Sequence, residues 1–453
     1  MAEPILITGA DIVNEGKSFK GSVLIRDDRI AGIFREPDEL IPAGVLKESK
    51  ILDASGKHLL PGVIDDQVHF RDPGLTEKGD LFTESRAAVA GGITSFMDMP
   101  NTNPKATTLS LLEEKFRLAG QKSLANYSFF LGATEDNLPE IEKADPARVC
   151  GLKIFLGAST GNMLVADPAV LEEIFKKSKL IVAIHSEDET IIRKNLAAFR
   201  ERYGEAIPVE AHPLIRSEEA CFVSTERAVN LAKKHGTRLH ILHLSTGREL
   251  SLLEPSVPLG EKKITAEVCV HHLWFDDRDY SRLGSRIKWN PAIKTEADNN
   301  ALLAGLLEDR IDIIATDHAP HSWQEKQNPY AGCPSGAPLV QHALPAMLEL
   351  VRLGKIPLTR IVDKMCHSPA ILYRIRGRGY IREGYFADLV LVDRNATWQV
   401  EPSNILYKCG WSPFEGQRFS SSVTHTFVNG ELAYGNGKVF DEVRGRRLEF
   451  ERE

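Results

Sequence analysis

Apolar and polar positions along the chain fall into three textures. Between about residues 62 and 316, short apolar runs recur and are separated by segments of helical period. The runs are Gly62–His69, Ile93–Asp98, Tyr127–Gly132, Cys150–Leu156, Leu180–His185, Arg238–Leu244, Ile264–Val270 and Ile311–Thr316. Between them lie Leu109–Ala119, Val170–Lys177, Glu218–Lys234 and Ala301–Glu308. In Glu218–Lys234, Ala220, Ala228, Leu231 and Ala232 share one face at helical spacing, as a helix packed on a core requires. Eight strand–helix units predict an α/β fold, a (β/α)8 TIM barrel, with its chemistry at the C-terminal ends of the strands.

The two ends of the chain read differently. Val23–Ile25, Asp27-Asp28 and Ile30–Ile33 spell a hairpin, and Ile51-Leu-Asp53 with the Gly56 turn adds a strand. Near the other end, Asp388–Asp393 is an apolar strand. Thr426-Phe-Val-Asn-Gly-Glu431 carries the Asn-Gly pair that favours a tight type I′ turn. The expectation is a composite β-sandwich formed by 1–60 and 377–453 around a barrel of 61–376.

Composition narrows the function. A net charge of −7 over 453 residues gives no basic footing for nucleic acid. No apolar window approaches the length of a membrane span. The opening Met-Ala-Glu-Pro lacks a basic region and cleavage site, and the expectation is a cytoplasmic protein without a signal peptide. Cys150, Cys221, Cys269, Cys333, Cys366 and Cys409 are scattered without a Cys-x-x-Cys pair, and read as reduced thiols, most of them filling the core.

Reactive residues fall where a barrel would use them. His69 ends strand one, Lys153 lies in strand four and His185 ends strand five. His243 lies near the end of strand six, and Asp317 follows strand eight. Singly, each has a plain structural explanation: a hydrogen-bonded core histidine, a lysine pointing between helices, an aspartate capping a helix. Together, five ligand-type residues at one end of five strands point to a metal centre. Lys153 is the unusual member, because an ammonium has no lone pair. Near other cations and away from water its pKa should fall. The neutral amine can then add carbon dioxide and become an anionic carbamate that bridges two metals about 3.5–4 Å apart.

Several blocks carry a family resemblance. Ile64-Asp-Asp-Gln-Val-His-Phe-Arg-Asp-Pro-Gly74 resembles the first-strand signature of dihydroorotases, usually His-x-His followed by x-Arg-x-Pro-Gly. Gly91–Pro104, Gly151–Phe155, His185–Asp188, His240–Thr246, Lys288–Pro291, Ile311–His321 and Gly384–Val390 are similar to later blocks of that family, in order along nearly the whole chain. The resemblance implies metal ligands at His69, Lys153, His185, His243 and Asp317, and substrate contacts at Arg71, Asn101, Asn290 and His321. It implies one or two zinc ions bridged by N6-carboxylated Lys153, and a homodimer able to associate with aspartate carbamoyltransferase. The implied reaction is reversible closure of N-carbamoyl-L-aspartate to (S)-dihydroorotate in pyrimidine synthesis. It uses a metal-activated hydroxide, with Asp317 as general acid and base and Gly332–Ala337 offering backbone groups to the ring amide.

The bottom-up reading agrees for Arg71, whose planar fork two residues past a ligand suits a carboxylate. Asn101 is equally suited to a turn before Pro104. The pattern departs at Gln67, which stands where the family has its first histidine; a carboxamide is the poorer zinc ligand. Three alternatives stay open: an allantoinase, a hydantoinase or dihydropyrimidinase, and a non-catalytic partner of aspartate carbamoyltransferase.

Overall fold

The computed structural model describes residues 3–157 and 163–452. Eight parallel strands build its centre: Val63–Val68, Ile93–Asp98, Asn126–Phe129, Leu152–Phe155, Val182–His185, Leu239–Ile241, Ile264–Cys269 and Ile313–Ala315. They pair in sequence order in two sheets, one holding the first three strands and the other the last five with the short Leu131–Gly132. Parallel bridging of Val68 to His318 and the His69 N–H donated to the His318 carbonyl at 2.7 Å join the last strand to the first. Nearly every residue of these strands is buried, as expected where helices cover the outside and side chains fill the inside of a barrel.

Helices follow the predicted segments, with shifted ends. Glu218–His235 begins at Ser217, whose hydroxyl accepts the Ala220 N–H, and stops at left-handed Gly236. The helix expected from Ala301 starts earlier, at Glu296. Thr295 caps it and pairs reciprocally with Asp298. Its first turns are polar, so the apolar pattern alone could not mark its beginning.

The two ends of the chain share one nine-stranded sheet. Its order is Lys438–Val439, Glu431–Gly435, Ser422–Val428, Leu389–Asp393, His58–Pro61, Ile5–Asn14, Lys17–Arg26, Arg29–Arg35, with Lys50–Asp53 also paired to Ile5–Asn14. The ends meet where Leu389–Val392 runs antiparallel to His58–Pro61. Asn429 and Gly430, at φ 51° and 81°, form the turn predicted between the last long strands. The final stretch leaves this sheet. Leu448 N–H bonds to the Tyr127 carbonyl and Phe450 N–H to that of Ala147, and both side chains bury against barrel residues such as Cys150 and Ile181. No helix of the described residues is long and apolar enough to cross a membrane.

Candidate metal centre and substrate pocket

Gln67, His69, Lys153, His185, His243 and Asp317 line one pocket at the C-terminal end of the barrel, with Arg71, Asn101 and Asn290 on its wall. The backbone aims them. Strand six stops at Ile241, three residues earlier than its apolar run suggests, and His243 takes φ 41° just beyond. Arg71 at 66° and Asp317 at 47° do the same past strands one and eight. Left-handed backbone costs a non-glycine residue about 1–3 kcal/mol and persists only where the surroundings enforce it. Here they do: the Glu267 carboxylate accepts the His243 N–H at 3.0 Å. Next to Arg71, the Asp98 carboxylate accepts the Phe70 N–H at 2.8 Å while its other oxygen holds buried Lys115 at 2.6 Å.

The histidine nitrogens face one another and Asp317. His185 Nδ1 and His243 Nε2 face each other at 3.0 Å, so two ring nitrogens converge on one point. His185 Nε2 lies 2.9 Å from Glu187, which also pairs with Arg216; a carboxylate there fixes the ring as it does behind many metal-bound imidazoles. Burial holds both rings below the usual histidine range. His69 Nδ1 is 2.8 Å from Asn101 Oδ1, and its Nε2 lies 3.2 Å from Asp317 Oδ1. If His69 donates to Asn101, its Nε2 lone pair is turned toward Asp317.

Lys153 is 1% exposed, and its Nζ has no hydrogen bond or ion pair among the described residues; it lies 4.6 Å from the Phe155 ring centroid. Burial lowers its pKa to about 7, with Asp317 and Glu267 opposing the shift. The direction and the removal from water match the sequence expectation; the nearby cations it also invoked are not what acts on the amine, since Asp317, Glu267 and Cys269 all oppose the shift.

Gln67 is bound on both sides. Its Nε2 donates to Asp317 Oδ1 at 3.3 Å, and its Oε1 receives the Cys269 thiol at 3.7 Å. On the wall, Arg71 donates Nε to the Pro320 carbonyl at 3.0 Å and Nη2 toward His321 Nε2 at 3.1 Å. Its Nη1 makes no hydrogen bond with the described residues. Asn290 Oδ1 is buried with no partner among the described residues. His321 is not on the pocket wall: it stands behind Arg71, and burial beside that guanidinium depresses its pKa to about 3. Ser335 and Gly336, from the predicted glycine- and proline-containing loop, do reach the pocket.

Sequence reasoning passes over Glu187, Arg216 and Glu267, which stand behind His185 and His243. It also sets aside Cys269, which with His271 and His272 forms a cluster whose ligand-type atoms all lie within 4.8 Å of one another. A Cys-x-His-His run ending an apolar strand is the available signal.

Residues 58–433 match the model of the amidohydrolase family. The chain belongs to that family. This amidohydrolase is 32% identical to a dihydroorotase of Pyrococcus abyssi, over 98% of each chain. It is 33% identical to a dihydroorotase of Carboxydothermus hydrogenoformans, over 91% of this chain and 96% of that one. Among solved structures, an L-hydantoinase (dihydropyrimidinase) from Arthrobacter aurescens superposes with a TM-score of 0.90 at 27% identity, covering 98% of this chain and 99% of that one.

Proposed function

We propose that this amidohydrolase is a dihydroorotase, interconverting N-carbamoyl-L-aspartate and (S)-dihydroorotate. The observation that carries the reading is the anchored Arg71 fork on the pocket wall, its Nη1 unspent, beside five ligand-type residues. A ring bearing a carboxylate gives that guanidinium a charged partner; an unsubstituted hydantoin or dihydropyrimidine does not. The full-length likeness to curated dihydroorotases supports the same choice.

The donor set fits zinc. His69, Asp317 and Lys153 would hold one ion and Lys153, His185 and His243 a second, with Lys153 N6-carboxylated and shared. When bound, zinc supplies Lewis acidity toward water and toward the ring carbonyl. Asp317, at the mouth of strand eight, takes the proton of the attacking water and returns it to the departing ring nitrogen. Arg71 binds the substrate carboxylate, and His321 and Pro320 behind it restrict the guanidinium to that orientation. Asn290 Oδ1 accepts a ring N–H, and backbone groups of Ser335 and Gly336 flank the ring amide. Asn101 holds the His69 ring and borders the substrate. Such a protein would work in the cytoplasm on a small molecule, as a homodimer able to dock on aspartate carbamoyltransferase.

A hydantoinase or dihydropyrimidinase is the second reading, favoured by the Arthrobacter structure. Steady-state assays on dihydroorotate, hydantoin, dihydrouracil and allantoin separate the two, and separate both from allantoinase and from a non-catalytic partner. Turnover of dihydroorotate well above the uncharged rings is the expected result; preference for an uncharged ring would overturn the assignment.

Arg71→Met tests the clamp. Losing a charge-assisted contact should lower kcat/KM for dihydroorotate by about 3 kcal/mol, roughly 10²-fold, with metal content unchanged. An equal loss on dihydrouracil would show that Arg71 does not read the carboxylate.

Gln67 should leave the two zinc positions unequal. Its amide is engaged by Asp317 and Cys269, and it offers no imidazole to the ion beside His69. Graded chelation should strip that ion first, and Gln67→His should raise its retention in elemental analysis. Simultaneous loss of both ions, identical in parent and variant, would remove Gln67 from the argument.

A further inference from the structure

Strand seven ends at Cys269, and a single helical turn, Val270–Trp274, follows it. Cys269, His271 and His272 are 0%, 0% and 2% exposed. Their ligand-type atoms all lie within 4.8 Å of one another. None of them belongs to the five-residue set already described.

The hydrogen bonding of this cluster is incomplete. Among the described residues neither ring nitrogen of His271 has a well-formed hydrogen bond, the Thr316 carbonyl being a weak acceptor for at most one of them. His272 uses Nε2 on the Pro291 carbonyl at 3.2 Å, and its Nδ1 has no partner among the described residues. A neutral imidazole carries one N–H and one lone pair, and buried polar atoms left without partners are rare in folded proteins. The rings are also held in place. His271 stacks on Trp289 with centroids 4.0 Å apart and planes 4° from parallel. Trp289 in turn donates Nε1 to the Asp317 carbonyl at 3.3 Å. The thiol has only weak acceptors, Gln67 Oε1 at 3.7 Å and Glu267 Oε1 at 3.9 Å.

One sulfur and two imidazoles, each with an unspent donor atom, form the set that zinc-type ions prefer over calcium or magnesium. Bonds of about 2.3 Å to sulfur and 2.0–2.1 Å to nitrogen require the three side chains to draw together slightly. Gln67 Oε1, already against the sulfur, is an oxygen donor at the fourth side.

We propose that Cys269, His271 and His272 bind a zinc-type divalent cation, at a site adjoining the His69–Asp317 centre and additional to it. Gln67 lies between the two, in contact with Asp317 on one side and Cys269 on the other. The proposal does not depend on which cyclic amide the enzyme hydrolyses.

Cobalt(II) as the sole metal provides the test. The five ligands of the main centre contain no sulfur, so cobalt there gives no thiolate-to-metal charge-transfer absorption. The cobalt-loaded protein is expected to show that near-ultraviolet band. Cys269→Ser should abolish it and release one cobalt equivalent per chain, while the visible bands of nitrogen- and oxygen-bound cobalt persist. A cobalt protein without the band, or a band undiminished in Cys269→Ser, would overturn the site. Anomalous scattering from cobalt-loaded crystals of the unaltered protein tests the same site without a substitution. A peak at bonding distance from Cys269 Sγ and both imidazoles supports the site, and cobalt confined to the His69–Asp317 centre refutes it.

Discussion

Lys153→Ala is expected to release the zinc ions and reduce turnover to background. The side chain is buried in strand four with Nζ unpaired among the described residues, and burial has brought its pKa to about 7. Its strand is paired in register with strand five, Lys153 opposite Ala183 and Phe155 opposite His185, so the lysine stem and the His185 ring rise on neighbouring strands. A neutral amine adding carbon dioxide forms one C–N bond and releases one proton. The result is an anion with two oxygens where the free amine offered one nitrogen. Without it, His185 and His243 remain as one pair and His69 and Asp317 as another, each short of the three protein ligands usual at catalytic zinc. Intact mass should show one added carbon dioxide in the parent and none in the variant, and elemental analysis should show loss of the ions of the His69–Asp317 centre, leaving at most the one held by Cys269, His271 and His272. Short carboxylic acids are expected to restore part of both metal and rate, because they replace the missing oxygens in the space the side chain leaves. Parental metal content and rate in Lys153→Ala would end the carbamate assignment.

Much of this is legible in the chain because barrel strands are buried on both faces and so read as unbroken apolar runs. All eight runs hold a strand of the structure. The ligand-type residues stand out for a related reason: a histidine, lysine or aspartate at the end of an apolar run contradicts its surroundings and calls for a cause. What is hidden lacks that contrast. Glu187 stands in plain view two residues past His185, but its partner Arg216 comes from a separate helix-flanking loop. Only the fold brings the two together. His321 lies close to Asp317 in sequence and reads there as a substrate contact, yet the turn through Ala319 and Pro320 carries it behind Arg71. Neither spacing nor residue type distinguishes a side chain on the pocket wall from one that stands behind it.

The cysteines show the same limit from the other side. Cys150 and Cys366 are buried core thiols with pKa values pushed above the usual range by burial alone or nearly so. Cys269 has the same residue type and the same burial, and differs only in what faces it: Gln67 and Glu267. A rule based on cysteine count and spacing treats all three alike. The difference arises because strand seven lies beside strand eight, with Cys269 paired to Ala315, two residues before Asp317.

Asp317→Asn should lower kcat by on the order of 10²–10⁴ while leaving KM for dihydroorotate nearly unchanged. The substitution is close to isosteric, and the surroundings tolerate an amide. Oδ1 can still accept from Gln67 Nε2, as it does at 3.3 Å in the parent. The backbone at φ 47° remains fixed through the Trp289 bond to the carbonyl, which the side chain does not touch. Arg71 and Asn290 are untouched, so the carboxylate and the ring amide keep their partners and ground-state binding persists. What disappears is a group able to take a proton from the attacking water and return it to the ring nitrogen. A loss confined to kcat marks an interaction made only during reaction. A structural role for Asp317 would instead raise KM and lower thermal stability together. Since Asp317 is also placed as a zinc ligand, metal content must be measured alongside rate, with excess zinc present in both assays. Turnover close to the parental rate at full metal loading would remove Asp317 as the proton carrier and leave that role to another group in the pocket.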